Sequence, residues 1–293
     1  MFTNRMVDQF EVNIRPILPD DIGKCLHLSG SEGWNQTEQD WMRLVGNSRN
    51  ICRAAEYEGK IVGTATASNY ENEIAWIGMV LVDKAYRGRG ISKNLLNALF
   101  TGLETCRSVK LDATPAGQPV YQKFGFKDEY LIYRMTGTPE AGFRPEGSGQ
   151  QPEPVSMKDV SEVIELDSSV FGANRKALLD SMIKDNPGEA WCIRKNGRIT
   201  AFSIGRKGTR YFQAGPVFTA DAGEAMMLIS HALSRHTGEP MVVDVLADKA
   251  DLIRWLNSAG FASQRHFVRM YRYRNPRPGK PGSQHLICGP EFG

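Results

Sequence analysis

At 293 residues the chain is long enough for about two domains of ordinary size. With 41% hydrophobic and 24% charged residues it reads as globular, neither disordered nor fibrous. A formal net charge of only +3 argues against a nucleic-acid partner. No apolar run is long enough to cross a bilayer, so no membrane partner is expected. The N-terminal ten residues lack the apolar core of a signal peptide. Five cysteines (Cys25, Cys52, Cys106, Cys192, Cys288) are scattered, with no Cys-x-x-Cys spacing. That pattern suits reduced thiols in a cytoplasm and argues against a metal site or a disulfide frame.

In chain order, residues 12–17 read as a strand and Asp20-Asp21-Ile22 opens a helix through Leu28. Residues 30–33 form a break that leads to Trp34 and Asn35. Thr37-Glu38-Gln39-Asp40 has the pattern of a capping box for a second helix toward Val45. Residues 51–57 and 61–68 read as strands joined by a turn at Glu58-Gly59-Lys60. A near-continuous apolar run from Trp76 to Val82 suits a buried strand. Tyr86-Arg87-Gly88-Arg89-Gly90 follows, and from Ile91 the apolar residues Leu95, Leu96, Leu99 and Leu103 recur at helical spacing.

A strand, a glycine loop and a helix start together make a phosphate site. The first-turn amides have no partner inside the helix, and the dipole favours an anion there. Gly88 and Gly90 allow close backbone approach, and Arg87, Arg89 and Lys93 add positive charge. A Walker loop is absent, and Lys93 stands where a dinucleotide fingerprint needs its third glycine. Arg87-Gly88-Arg89-Gly90-Ile91-Ser92 resembles instead the acyl-CoA loop of the GNAT superfamily of N-acetyltransferases, Gln/Arg-x-x-Gly-x-Gly/Ala, with Ser92 at the last small position. Residues 109–117 and then Tyr121-Gln122-Lys123-Phe124-Gly125-Phe126 resemble the family's next strand and its Tyr-x-x-x-Gly-Phe helix end.

The resemblance implies an α+β fold: a mixed, mostly antiparallel sheet flanked by helices. Residues 137–154 have the composition of a linker, so we expect domains at 1–138 and 154–293 joined through 139–153. The second half echoes the first. Asp159 repeats Asp21, Gly197 repeats Gly59 and Gly260 repeats Gly125, at offsets of 138, 138 and 135 positions. Asp221 and Glu224 replace the arginines of the first loop and would repel a phosphate, and Leu256 stands at the place of Tyr121. The second copy therefore reads as degenerate, suited to shaping the acceptor pocket or to pairing of chains. Monomer and homodimer both remain open. The basic tail 272–282 is short and proline-broken, and reads as a solvated connector to a last strand at 285–288.

The resemblance implies acetyl transfer from acetyl-CoA to an amine by direct attack, with no metal and no covalent enzyme intermediate. It places the carbonyl-polarising backbone and the pantetheine arm along Val80-Leu81-Val82, where the family's central strand bulges. Tyr121 is the candidate general acid for the leaving thiolate, with a packing tyrosine as the alternative. Thr114 stands where many members bind the CoA arm through an Asn. The general base is not readable; Asp112 is one candidate, or else a structural carboxylate, and Glu73 is another, or else a solvated turn residue. Trp34, Asn35 and Trp76 are candidates for lining the acceptor site, with core or rim packing the alternative for the tryptophans. The acceptor is expected to be a small-molecule amine. A protein amine, or a sensor that binds acyl-CoA without turnover, are the competing readings.

Overall fold

The structure is a computed structural model that describes residues 11–140 and 151–293. Most of the expected linker, residues 141–150, lies outside that description. The first half opens with β1 (Asn13–Pro16), α1 (Ile22–Ser31) and α2 (Glu38–Val45). Thr37 starts α2 with a capping box. Its hydroxyl accepts from the Asp40 amide, and the Asp40 carboxylate accepts from the Thr37 amide. β2 (Ile51–Tyr57) turns into β3 (Lys60–Tyr70) through Glu58 and Gly59, at φ 47° and 76°. Two left-handed residues supply the twist that a two-residue hairpin needs. β4 (Ile74–Val82), α3 (Ile91–Phe100), β5 (Ser108–Ala113), α4 (Gln118–Gln122) and β6 (Phe126–Gly137) complete this half.

The second half retraces the first. β7 (Glu153–Pro154), α5 (Val160–Phe171) and α6 (Lys176–Asp185) precede β8 (Ala190–Lys195) and β9 (Arg198–Lys207). β10 (Phe212–Thr219), α7 (Ala222–Arg235), β11 (Met241–Leu246), α8 (Ala250–Ser258) and β12 (Ala262–Arg272) follow, and a short β13 (Gln284–Leu286) comes last. The repeated landmarks share backbone geometry as well as spacing. Asn196 and Gly197 turn β8 into β9 at φ 52° and 77°, and Gly125 and Gly260 follow α4 and α8 at φ 83° and 86°.

All these strands join one sheet, in the order β1-β2-β3-β4-β5-β12-β6-β11-β13-β10-β9-β8-β7. Pairing is antiparallel except for β4 with β5 and β10 with β11, the mixed α+β sheet expected. The sheet crosses the division at 138 and 154. β12 of the second segment lies between β5 and β6 of the first, so each segment's last long strand sits beside the other's parallel strand.

The same ion pair secures both exchanges. Arg134 on β6 holds Asp244 on β11 through Nε–Oδ1 and Nη2–Oδ2, both at 2.7 Å. Arg269 on β12 holds Asp112 on β5 through the same atoms at 2.8 and 2.9 Å. Alternate residues of β4 face opposite sides, Trp76 one way and Ala75 and Ile77 the other. On the Trp76 side, Trp41, Phe171, Phe202, Phe218 and Phe292 of both halves share one core. Full burial of each such ring contributes roughly 1.5–3 kcal/mol. The other side is covered by α3 in the first half and by α7 and α8 in the second.

Candidate active site

β4 and β5 run in register from Ile74↔Ser108 to Ile77↔Leu111, and then part. β5 continues against β12, while β4 bends away with a local cause. The β3–β4 register shifts between Thr64 and Thr66, where β4 carries one residue more than β3, a bulge. Met79 in that bulge takes φ 50°. For a residue with a long side chain this costs on the order of 1–3 kcal/mol, the kind of strain that collects at functional sites. Two hydroxyls hold the bulge: Thr64 donates to the Met79 carbonyl at 2.8 Å and Thr66 to the Gly78 carbonyl at 3.0 Å. The splayed segment from Gly78 to Val82 forms one wall of a cleft of about 650 Å³.

The glycine loop lies on the same cleft. Gly88 and Gly90 both take φ 79°, and a Cβ at either would meet nothing within 4 Å, so the requirement is conformational rather than steric. Gly90 is the N-cap of α3, and among the described residues no side chain caps that helix. The Asn94 amide bonds the Gly90 carbonyl at 3.1 Å, which leaves the amides ahead of it facing outward. Arg87, Gly88, Gly90, Ile91 and Ser92 line the cleft, whereas Arg89 and Lys93 are exposed outside its lining. The Arg87 guanidinium is already engaged. It donates to Glu32 at 2.6 Å and to the Val82 carbonyl at 3.0 Å, bracing the loop against the strand end.

Thr114 and Tyr121 line the opposite wall. Thr114 accepts the Gly117 amide at 3.2 Å, so its own proton remains available. Burial pushes the Tyr121 phenol well above its ordinary range, which keeps it protonated at neutral pH, the state a proton donor needs. Asp112 also lines the cleft, but both its oxygens are taken by Arg269. Burial raises its carboxyl while the guanidinium opposes that rise. Its repetition as Asp244–Arg134 marks it as half of a structural lock, not as the base. Glu73 lies outside the cleft's lining, paired with Arg107 and Arg277 beside the start of β4.

Of the residues expected at the acceptor, Trp34 lines the cleft. Asn35 does not; it clamps the loop to the second half. Its Oδ1 accepts the Arg210 and Tyr211 amides at 3.0 and 2.9 Å, and its Nδ2 donates to the Tyr211 carbonyl at 3.1 Å. Trp76 is 1% exposed and sits beneath the cleft in the shared core, its indole donating to the Pro290 carbonyl at 2.9 Å. The wall that sequence reasoning missed comes from the exchange and the C-terminal tail: Arg134, Arg265, Phe267, Pro290 and Glu291. Only long-range pairing brings these residues here, so no local pattern signals them.

Two family models, each described as "Acetyltransferase (GNAT) domain", match residues 30–138 and 163–285. The chain is a tandem GNAT acetyltransferase. This tandem GNAT protein is 26% identical over 228 residues to a holothin acyltransferase of a Pseudoalteromonas species, covering 77% of this chain and 74% of that one. It is 22% identical over 244 residues to the uncharacterized N-acetyltransferase YitH of Bacillus subtilis, covering 83% and 85%. A putative acetyltransferase of Pyrococcus horikoshii shares its fold with a TM-score of 0.81 at 21% identity, over 96% of both chains. A tandem GNAT protein of the clavulanic acid biosynthesis pathway does so with a TM-score of 0.62 at 14% identity, over 89% and 98%.

In the tandem GNAT protein the first copy keeps this cleft open, and among the described residues the second copy fills its counterpart. β10 also bulges, between Ala214 and Val217, and its pairing with β11 also stops, at Ala214↔Val243. There, however, β13 fills the gap, with Leu286 opposite both Val217 and Val245. At the start of α7 the Asp221 carboxylate accepts the Gly223 and Glu224 amides at 2.8 and 3.2 Å, and Lys195 pairs with Asp221 and Glu224.

Proposed function

We propose that the protein transfers an acetyl group from acetyl-CoA to a primary amine of a small molecule by direct attack. One observation carries this reading: the bulged, splayed end of β4 and the uncapped, glycine-started α3 lie on one cleft. The outward amides of residues 91–93 suit the diphosphate of CoA. The edge of Val80-Leu81-Val82 that β5 leaves unpaired suits the pantetheine arm as an added strand, and its fixed N–H groups suit the developing oxyanion. Tyr121 protonates the departing thiolate. Glu32 and Arg87 act by holding the loop.

A small acceptor is favoured over a protein one because the second half closes over this end of the cleft. β12 and the tail supply Arg265, Phe267, Pro290 and Glu291, and the 207–211 turn holds the Trp34 loop through Thr209, Arg210 and Tyr211. Release of free thiol from acetyl-CoA, followed across a panel of small amines and peptides, tests this. Turnover with small amines is the expected result. Turnover with peptides alone would make the acceptor a protein, and tight acetyl-CoA binding without release would make the protein a sensor.

A further inference from the structure

Buried side-chain atoms without a hydrogen-bond partner are few in folded proteins, and each calls for an explanation. Among the described residues seven such atoms occur, and three of them belong to residues that line this cleft: Gln36 Oε1, Arg265 Nε and Glu291 Oε2. Gln36 and Glu291 are 6% and 2% exposed. The chemistry of the three is complementary: two acceptors and one cationic donor. Glu291 Oε1 is held by the Arg206 guanidinium at 2.5 Å, and Oε2 has no partner among the described residues. Gly78, the first residue past the β4–β5 parting, keeps the tail in place. A Cβ there would lie 3.0 Å from Glu291 Cα and 3.1 Å from its carbonyl oxygen. Arg265 lies opposite Arg134 in the β12–β6 register. Arg134 is committed to Asp244, but among the described residues no carboxylate pairs with Arg265. Arg265 is half-buried, and a guanidinium on a cleft wall that no carboxylate pairs with suits an anion on a ligand.

We propose that the acceptor is a primary amine that also bears a carboxylate, an amino acid or a close analogue, with Arg265 holding the carboxylate and Gln36 and Glu291 receiving the ammonium group. This rests on the acetyltransferase reading and narrows it. Glu291 Oε2 then takes a proton from the ammonium. The freed nitrogen lone pair forms the C–N bond at the thioester carbonyl, the C–S bond breaks and the thiolate takes the Tyr121 proton; the second proton that the nitrogen sheds as the amide forms restores the phenol, and the proton on Glu291 passes to solvent. Burial raises the Glu291 carboxyl, with Asp40 adding to the rise and Arg206 and Arg134 opposing it, a direction that suits a group accepting a proton.

The test compares free amino acids with their carboxamides and with simple alkylamines, using the full chain, acetyl-CoA and thiol release. The acids are expected to exceed their amides in kcat/KM by about tenfold or more, the worth of a charge-assisted hydrogen bond. Arg265→Met is expected to abolish that ratio through KM, and Glu291→Gln to lower kcat on the acids. Equal kcat/KM for acids and amides, or an acid preference that survives in Arg265→Met, overturns the proposal while leaving the transferase reading intact. Full kcat in Glu291→Gln removes its role as proton acceptor. No thiol release from any amine overturns both readings. Should Glu291→Gln fail to fold, the acid-to-amide ratio of the unaltered protein still decides.

Discussion

The two copies differ least where the backbone turns and most where a cofactor would lie. In both, an antiparallel hairpin leads to a bulged strand that parts from its parallel neighbour. In the first copy the gap opens on a cleft and the following helix starts at an uncapped left-handed glycine. In the second, the chain's own β13 occupies the gap and an acidic side chain occupies the helix start. The fold therefore makes a wedge and a helix start in each copy, and the presence of β13 and of an acidic cap decides whether the protein itself satisfies them. The wedge is a property of the topology; the site is a property of the loop.

The largest expected effect tests what the copies share. Asp112→Ala strands the buried Arg269 and should cost about 3–5 kcal/mol of stability, and Asp244→Ala should cost a similar amount by stranding Arg134. Thermal or urea unfolding measures both. An Asp112→Ala protein of full stability that had lost only kcat would restore Asp112 as a base and break the equivalence. Tyr121→Phe, at the position where the second copy has Leu256, should lower kcat about a hundredfold with acetyl-CoA affinity unchanged. Thiol release at the full rate would leave Tyr121 as packing. Gly90→Asp gives the first loop the acidic cap of the second, in a position with room for a side chain. It should weaken acetyl-CoA binding about thirtyfold by calorimetry, while Gly90→Asn, uncharged and tolerant of the same φ, should weaken it much less.

The smallest effect lies in the second copy. Lys195, together with the Glu224 and Gly223 amides, holds the Asp221 carboxyl below its ordinary range. A lowered folded value means that the cap's contribution is present above the ordinary carboxylate pKa of about 4 and fades as the pH falls through the lower value. Asp221→Ala should cost about 1 kcal/mol at neutral pH, and unfolding curves of the two proteins should converge under strong acid. A difference that persisted there would deny the cap its charge.

Local chemistry was legible in the sequence, and long-range pairing was not. Thr37 and Asp40, the turns at Gly59 and Gly197, and the strand–glycine–helix passage through Gly90 each depend on neighbours a few residues away, so composition and spacing reveal them. The insertion of β12 between β5 and β6 depends on which of two similar strands pairs where, and alternation of apolar residues is the same for either partner. Asp112 looked catalytic because its strand lies beside the expected acceptor; its partner Arg269 lies 157 positions away. Trp76 and Asn35 were also expected beside the acceptor, Asn35 because the loop between the first two helices borders that site in the resembled family, and the tail and the 207–211 turn claim their polar atoms instead. Glu291 stands in the segment Gly-Pro-Glu-Phe-Gly, which carries no motif or periodicity, though the core buries it.

One copy is expected to bind the cofactor, and the other has filled its own site. Calorimetric titration of the full chain with acetyl-CoA measures this directly. One molecule bound per chain, strongly weakened by Gly90→Asp, is the expected result. Two molecules per chain, or one whose affinity ignores Gly90→Asp, would contradict it.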